Sequence, residues 1–208
     1  MTRIPHRLLA AATLAVAITS CATAPDTPGE APPLVAPDGG DVLLAPMFAA
    51  HDATVLVWWS SSCPCVKRYA ERVRDLAERF RPRGVAFYYV ASNADDGPTE
   101  IAAAAPSAAL PILQDPGGAL ADHFAVTSTP TVIVIDHAGA MRFRGWVDNE
   151  HPVGDPDREP WLEDALGWLA DGGAGTRLTP VWGCMVTKSL GKVGRCHVTP
   201  VAPSVTPE

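Results

Sequence analysis

The strongest constraint on this chain is where its apolar segments meet its cysteines. Ala53 to Trp59 (ATVLVWW) is a nearly continuous apolar run rich in Val and Trp, which reads as a strand covered on both faces. Cys63-Pro64-Cys65 follows, and then Val66, Tyr69, Ala70, Val73, Leu76, Ala77 and Phe80 recur at helical spacing. Arg68, Glu71, Arg72, Arg74, Asp75, Glu78 and Arg79 fill most of the opposite face, so an amphipathic helix starts at the cysteines. Pro64 suits its first turn, where a missing N–H costs nothing, and Pro82 and Gly84 stop it. About 65 residues further on, Ser128-Thr129-Pro130-Thr131 opens another apolar strand, Thr131 to Asp136. Cysteines at a strand-to-helix junction are placed for redox chemistry, because the positive end of a helix stabilises a thiolate.

The remaining segments continue the alternation. Val85 to Ala91 reads as a second buried strand, and Asp96-Gly97-Pro98 opens a short helix through Ala105. Ile112 to Gln114 is a short strand, Asp115-Pro116-Gly117 a turn, and Gly118 to Phe124 a turn or two of helix. His137-Ala138-Gly139 leads into Ala140 to Val147, whose alternation predicts an antiparallel edge strand. Pro160 starts a last helix with Trp161, Leu162, Ala165, Leu166, Trp168 and Leu169 toward the core, and Gly172-Gly173 ends it. Strands alternating with helices imply an α/β domain with a mainly parallel central sheet, closed by a C-terminal antiparallel hairpin and flanked by helices.

The pieces WWSSSCPC, QDPGGALADHFAV, STPTVIVIDHAG and MRFRGWVD, spread over Ala53 to Ala170, resemble the thioredoxin-like redoxin family, which includes TlpA-type envelope thiol oxidoreductases and peroxiredoxins. The resemblance implies a thioredoxin-like fold and redox-active cysteines. It also implies a cis-proline at Pro130, with Thr129 and Pro130 fixing the approach of a substrate backbone. A strand that follows as a central one, not an edge, is consistent with that cis bond.

The ends of the chain read differently. Arg3, His6 and Arg7 precede an apolar stretch, Leu8 to Ile18, too short to span a bilayer as a stable helix. Ile18-Thr19-Ser20-Cys21 resembles the bacterial lipobox, which implies cleavage before Cys21 and lipid on that residue. The expected layout is a lipoprotein signal peptide over 1–21 and a Pro-rich flexible tether over 22–41. A thioredoxin-like domain over 42–172 and a C-terminal extension over 173–208 complete it. At about 3.1 Å per residue the tether would reach up to roughly 60 Å from a membrane. The implied location is the bacterial cell envelope, in the periplasm or at the outer membrane face, with lipid as the only anchor. Losing residues 1–21 removes Arg3 and Arg7 and no acid, leaving 14 basic against 23 acidic residues, a net of −9. That balance argues against nucleic acid and against an electrostatic hold on an anionic membrane.

An envelope compartment permits disulfides, and four cysteines remain: Cys63, Cys65, Cys184 and Cys196. The family's usual Cys-x-x-Cys is shortened here, with Val66 where the second cysteine would stand. In a regular helix residues i and i+2 point about 200° apart, so a Cys63–Cys65 bond needs a first turn that is not yet helical. Cys63, nearest the helix start, with Lys67 and Arg68 behind it, is the expected nucleophile, and Cys65 the favoured resolving residue. Cys184 and Cys196 lie outside the core. They read either as a structural disulfide, or with Cys184 returning to resolve Cys63. The six histidines do not cluster, and His123 and His137 read as solvated or capping residues. Asp95-Asp96 and the acids between Asp148 and Glu159 read as surface loops.

These features point to a membrane-tethered thiol-disulfide oxidoreductase. It would exchange disulfides with envelope proteins through Cys63 and Cys65 and use an unidentified redox partner, with no cofactor and no resident metal. Two alternatives stand beside it. In a thiol peroxidase of the peroxiredoxin type, Ser60 would replace the Thr of the Pro-x-x-x-Thr-x-x-Cys pattern, but the Pro is absent. In a non-enzymatic Cu(I) chaperone of thioredoxin fold, Cys63 and Cys65 would be soft ligands, but the His such proteins carry near the site is missing.

Overall fold

The computed structural model describes residues 31–188 and the backbone of 197–199. The leader with Cys21, the start of the tether, Cys196 and the final residues lie outside the described residues.

The centre is built from the apolar runs. Strand β3 (Ala53–Trp59) pairs parallel with β4 (Val85–Ala91), and β4 pairs parallel with β5 (Ile112–Gln114). On the other side of β3, β7 (Val132–Asp136) runs antiparallel and is followed by antiparallel β8 (Met141–Gly145). The sequence therefore placed the parallel strands and the closing hairpin correctly.

All seven residues of β3 are buried because helices cover both faces. Val55, Val57 and Trp59 face α2 (Pro64–Phe80) and α5 (Trp161–Ala170). Leu56 and Trp58 face α1 (Leu44–Ala49) and α4 (Ala119–His123). Helix α3 (Pro98–Ala104) adds Ile101 to the first layer. The periodicity of α2 is realised as a buried stripe of Cys65, Val66, Tyr69, Val73, Leu76 and Phe80. Its run ends at Gly84, whose φ of +72° suits glycine; a Cβ there would meet the Asp52 carboxylate.

Three expectations change. The flexible tether does not extend to residue 41. Strand β1 (Leu34–Val35) pairs with β5, and β2 (Asp41–Val42) pairs with β1, so the sheet begins inside the Pro-rich stretch. Leu34 is wholly buried among Leu44, Phe48 and Leu113, and that apolar anchor orders a segment whose prolines alone suggested a loose chain. Strand β8 is not the outer edge, because β9 (Arg177–Leu178) pairs parallel with it. The extension after Gly172-Gly173 is woven into the fold as well. Strand β10 (Val181–Met185) pairs antiparallel with β6 (Ser128–Thr129) and with β11 (His197–Thr199), forming a second, three-stranded sheet.

Candidate active site

The site lies where β3 ends and α2 begins. Cys63 is the N-cap of α2, with extended backbone (φ −78°, ψ 115°), and Pro64 occupies the first turn. The residue before a proline avoids helical backbone, so the Cys63-Pro64 sequence itself sets this boundary. Cys63 is thereby non-helical while Cys65 is helical, and the i, i+2 divergence expected inside a regular helix does not apply. The turn feeding the site is held from across the sheet. Asp96 accepts hydrogen bonds from the Ser61 backbone N–H (3.0 Å), the Ser61 hydroxyl (2.5 Å) and the Asn93 side-chain amide (3.2 Å). Asp96 is 1% exposed, which corrects its reading as a surface-loop acid. Burial is sustained by these donors, which a local sequence window does not contain.

Strand β10 delivers the third thiol. Its register sets Cys184 opposite Thr129 and Met185 opposite Ser128. Cys184 Sγ lies 2.8 Å from Cys63 Sγ, whereas a closed S–S bond is about 2.0 Å. The Sγ atoms of Cys63, Cys65 and Cys184 all lie within 4.8 Å of one another, and all three residues are buried. The strand is held at both ends. Trp182 packs edge-on against Trp146 (centroids 3.8 Å apart) and Trp161 (5.7 Å). Beyond Met185, Val186 N–H donates to the Thr127 carbonyl, Thr187 N–H to Asn93 Oδ1, and Ala94 N–H to the Thr187 carbonyl. Asn93 thus joins the Asp96 network to β10. Gly183 permits the close approach: its φ is +132°, and a Cβ there would lie 2.0 Å from the Thr129 carbonyl oxygen.

Burial pushes the Cys63 thiol up. Hydrogen bonds from Cys184, the Thr129 side chain and the backbone N–H groups of Val66 and Cys65 outweigh burial and bring its pKa below the ordinary thiol value. In its thiol form Cys63 Sγ also reaches the Thr129 carbonyl at 3.4 Å. Arg68 points a guanidinium nitrogen at Cys65 Sγ from 3.9 Å.

The Thr129-Pro130 peptide bond is cis. Thr129 is fully buried and its backbone faces Cys184, so the position read as a docking place for a substrate is filled by the chain's own β10. Of the candidate residues, the structure brings together Cys63, Cys65, Thr129, Pro130 and Cys184. Cys196, and with it the proposed Cys184–Cys196 bond, lies outside the described residues. Sequence reasoning missed Asn93, Asp96, Gly183 and Trp182; the Gly-Cys pair at 183–184 was the one local signal available.

A second correction concerns Asp148, read as a surface acid. It is wholly buried and accepts from Tyr69 (2.7 Å), Arg72 (2.7 Å) and Arg158 (3.1 Å). It fastens the loop after β8 to α2 at Tyr69 and Arg72.

A mixed sheet between helical layers, with a cysteine capping the helix after the first central strand and a cis-proline opening the strand beside it, defines a thioredoxin-like redox fold. The AhpC/TSA family matches residues 24–144, more than half of the chain, and the chain belongs to that family. Among solved structures it is similar to a hypothetical protein of Sinorhizobium meliloti 1021. The TM-score is 0.66 and the identity 22%, covering 79% of this chain and 94% of that one. An uncharacterized conserved protein of Geobacillus kaustophilus gives a TM-score of 0.65 at 25% identity, covering 78% and 92%. The DsbF protein of Mycobacterium tuberculosis, solved in mixed oxidized and reduced forms, gives 0.51 at 19%, covering 71% and 99%. None of the curated proteins matches. Among the described residues, no helix is long and apolar enough to cross a membrane.

Proposed function

We propose that this chain is an envelope thiol-disulfide oxidoreductase whose working pair is Cys63 and Cys184, with Cys65 as a third thiol beside them. The observation that carries the proposal is the 2.8 Å approach of Cys184 to a helix-capping Cys63 whose thiolate is favoured. The Cys63 thiolate attacks one sulfur of a client disulfide, forming a mixed disulfide and expelling one client thiolate. Cys184, as thiolate, then attacks Cys63 Sγ, closing Cys63–Cys184 and releasing the second client thiol. Two electrons pass from the pair to the client, and the reverse sequence oxidises a client dithiol. Lipid on Cys21 would tether the domain to a membrane, with envelope protein thiols or disulfides as clients and a separate redox protein resetting the pair.

Client trapping tests the assignment. Cys184→Ser is expected to hold Cys63 in mixed disulfides, while Cys65→Ser turns over nearly normally. The opposite result would move the pair to Cys63–Cys65, and full activity in Cys63→Ser would remove the reading. Intact mass of the membrane-extracted protein checks the tether; cleavage elsewhere without lipid refutes it.

Family membership supports a second reading, a thiol peroxidase in which Cys63 is oxidised by peroxide to a sulfenic acid. Against it, Leu56 stands in buried β3 where the peroxidase pattern has its Pro. Peroxide turnover faster than disulfide exchange would favour it.

A further inference from the structure

We propose that Asp96 and Asn93 are positioning residues that set the spacing of the two working sulfurs through one polar relay. The inference rests on the Cys63–Cys184 reading above. Both residues sit in the loop between β4 and α3, and both are buried: Asp96 is 1% exposed and Asn93 9%. Asp96 Oδ1 accepts from the Ser61 backbone N–H (3.0 Å) and the Ser61 hydroxyl (2.5 Å), in the turn just before Cys63. Asp96 Oδ2 accepts from Asn93 Nδ2 (3.2 Å). Asn93 Oδ1 in turn accepts from the Thr187 backbone N–H (2.8 Å), just beyond the strand end that carries Cys184. The Thr187 carbonyl accepts from Ala94 N–H (2.8 Å). One buried loop therefore grips the turn that presents Cys63 and the end of the strand that presents Cys184.

The relay has a polarity. A carboxylate only accepts, a backbone N–H only donates, and a side-chain amide accepts on one side and donates on the other. Thr187 N–H needs an acceptor at one end and the Ser61 donors need one at the other. An amide and a carboxylate between them satisfy every contact; two amides do not. Asp96→Asn keeps the size and shape of the side chain and breaks the match. However the two amides turn, one donor faces another, at Ser61, at Thr187 or between the two side chains. Exchanging the pair, Asn93→Asp together with Asp96→Asn, restores the pattern. The relocated carboxylate accepts from Thr187 N–H and from the new amide, whose oxygen accepts from Ser61.

The consequence falls on the redox equilibrium. The sulfurs stand 2.8 Å apart, and closing the bond draws them about 0.8 Å nearer, to about 2.0 Å. In the dithiol form a mismatched relay relaxes by letting Thr187 move off Asn93. A closed Cys63–Cys184 bond ties β10 to the Cys63 turn and keeps the mismatch in place. A buried donor facing no acceptor shifts such an equilibrium by about 5- to 150-fold. With glutathione disulfide as oxidant, the Cys63–Cys184 bond forms, the glutathione S–S bond breaks, and two glutathione thiols leave with the two electrons and the protons of the dithiol.

The test is a glutathione redox titration of the full chain, with mass spectrometry of the Cys63–Cys184 peptide. Asp96→Asn should disfavour the disulfide at least about 5-fold, a reduction potential less negative by about 20 mV or more. The exchanged pair, Asn93→Asp with Asp96→Asn, should return to within about twofold of the wild type. A merely structural role would lower stability to urea in the variants and leave the potential where it was. An unchanged potential in Asp96→Asn overturns the proposal, and so does an exchanged pair that recovers nothing. Should a variant fail to fold, hydrogen exchange on the wild-type chain decides. The Ser61 and Thr187 amide protons should show matching protection, because one buried pair holds both. Thr187 exchanging like an open amide while Ser61 stays protected overturns the relay. A wild-type chain that forms no Cys63–Cys184 bond at any glutathione ratio would instead remove the oxidoreductase reading and this inference with it.

Discussion

Gly183→Ala tests the geometry of the cysteine site with one methyl group. The added Cβ would sit 2.0 Å from the Thr129 carbonyl oxygen, while ordinary contact begins near 3.4 Å, so β10 must retreat by about 1.4 Å. Cys184 is the next residue, and its sulfur would move from 2.8 Å to roughly 4 Å from Cys63. A non-glycine residue held in such a backbone conformation costs about 1–3 kcal/mol. The reduced chain avoids that cost by letting β10 lift, but a closed Cys63–Cys184 disulfide pins the strand to β6 and cannot. The disulfide should therefore be disfavoured by about 5- to 150-fold, a reduction potential less negative by about 20–60 mV. Glutathione redox titration, with mass spectrometry of the Cys63–Cys184 peptide, reads this directly. Gly167→Ala is the control: a Cβ at that helical position meets nothing within 4 Å, so the potential should not move. An unchanged potential in Gly183→Ala would mean that β10 does not hold Cys184 against the site.

Three further outcomes follow from the structure. Because its pKa is lowered, Cys63 should stay thiolate to lower pH than an ordinary thiol near 8.5 and react fastest of the described cysteines with iodoacetamide at neutral pH. Cys184→Ala removes the strongest of its stabilising hydrogen bonds and should shift the Cys63 alkylation profile to higher pH; a shift to lower pH would contradict the assignment. Asp148→Ala leaves Arg72, Arg158 and the Tyr69 hydroxyl without their buried acceptor and should cost about 3–5 kcal/mol in urea unfolding; a loss under about 1 kcal/mol would refute its role as the anchor of the post-β8 loop.

The legible parts of the fold were those written in local periodicity. ATVLVWW and TVIVID are continuous because both faces of the sheet are covered, and α2 shows its stripe because it is long enough to repeat it. Strands β1, β6 and β9 are two residues each and have no period to detect. The buried acids were illegible for a related reason. Asp96 and Asp148 look like any loop acid, and what allows them inside is Ser61, Tyr69 and Arg72, 35 to 79 positions away. Within the site, Cys63 and Pro130 stand in local motifs. The position of Cys184 follows from the pairing of two strands 55 positions apart, so chain proximity favoured Cys65 and the geometry favours Cys184.

The docking of β10 on β6 also sets a condition on every visitor to the site. A protein client that seeks backbone pairing beside Cys63 competes with a strand already present in the same molecule, at an effective concentration on the order of millimolar. Its apparent affinity is reduced by the fraction of chains in which that strand has lifted. A small thiol or disulfide that needs no backbone pairing does not face this competition in full. If the site serves protein clients as proposed, the C-terminal extension would act as a size-dependent filter, and weakening its hold, at Trp182 or Asn93, would admit large clients without altering a single sulfur.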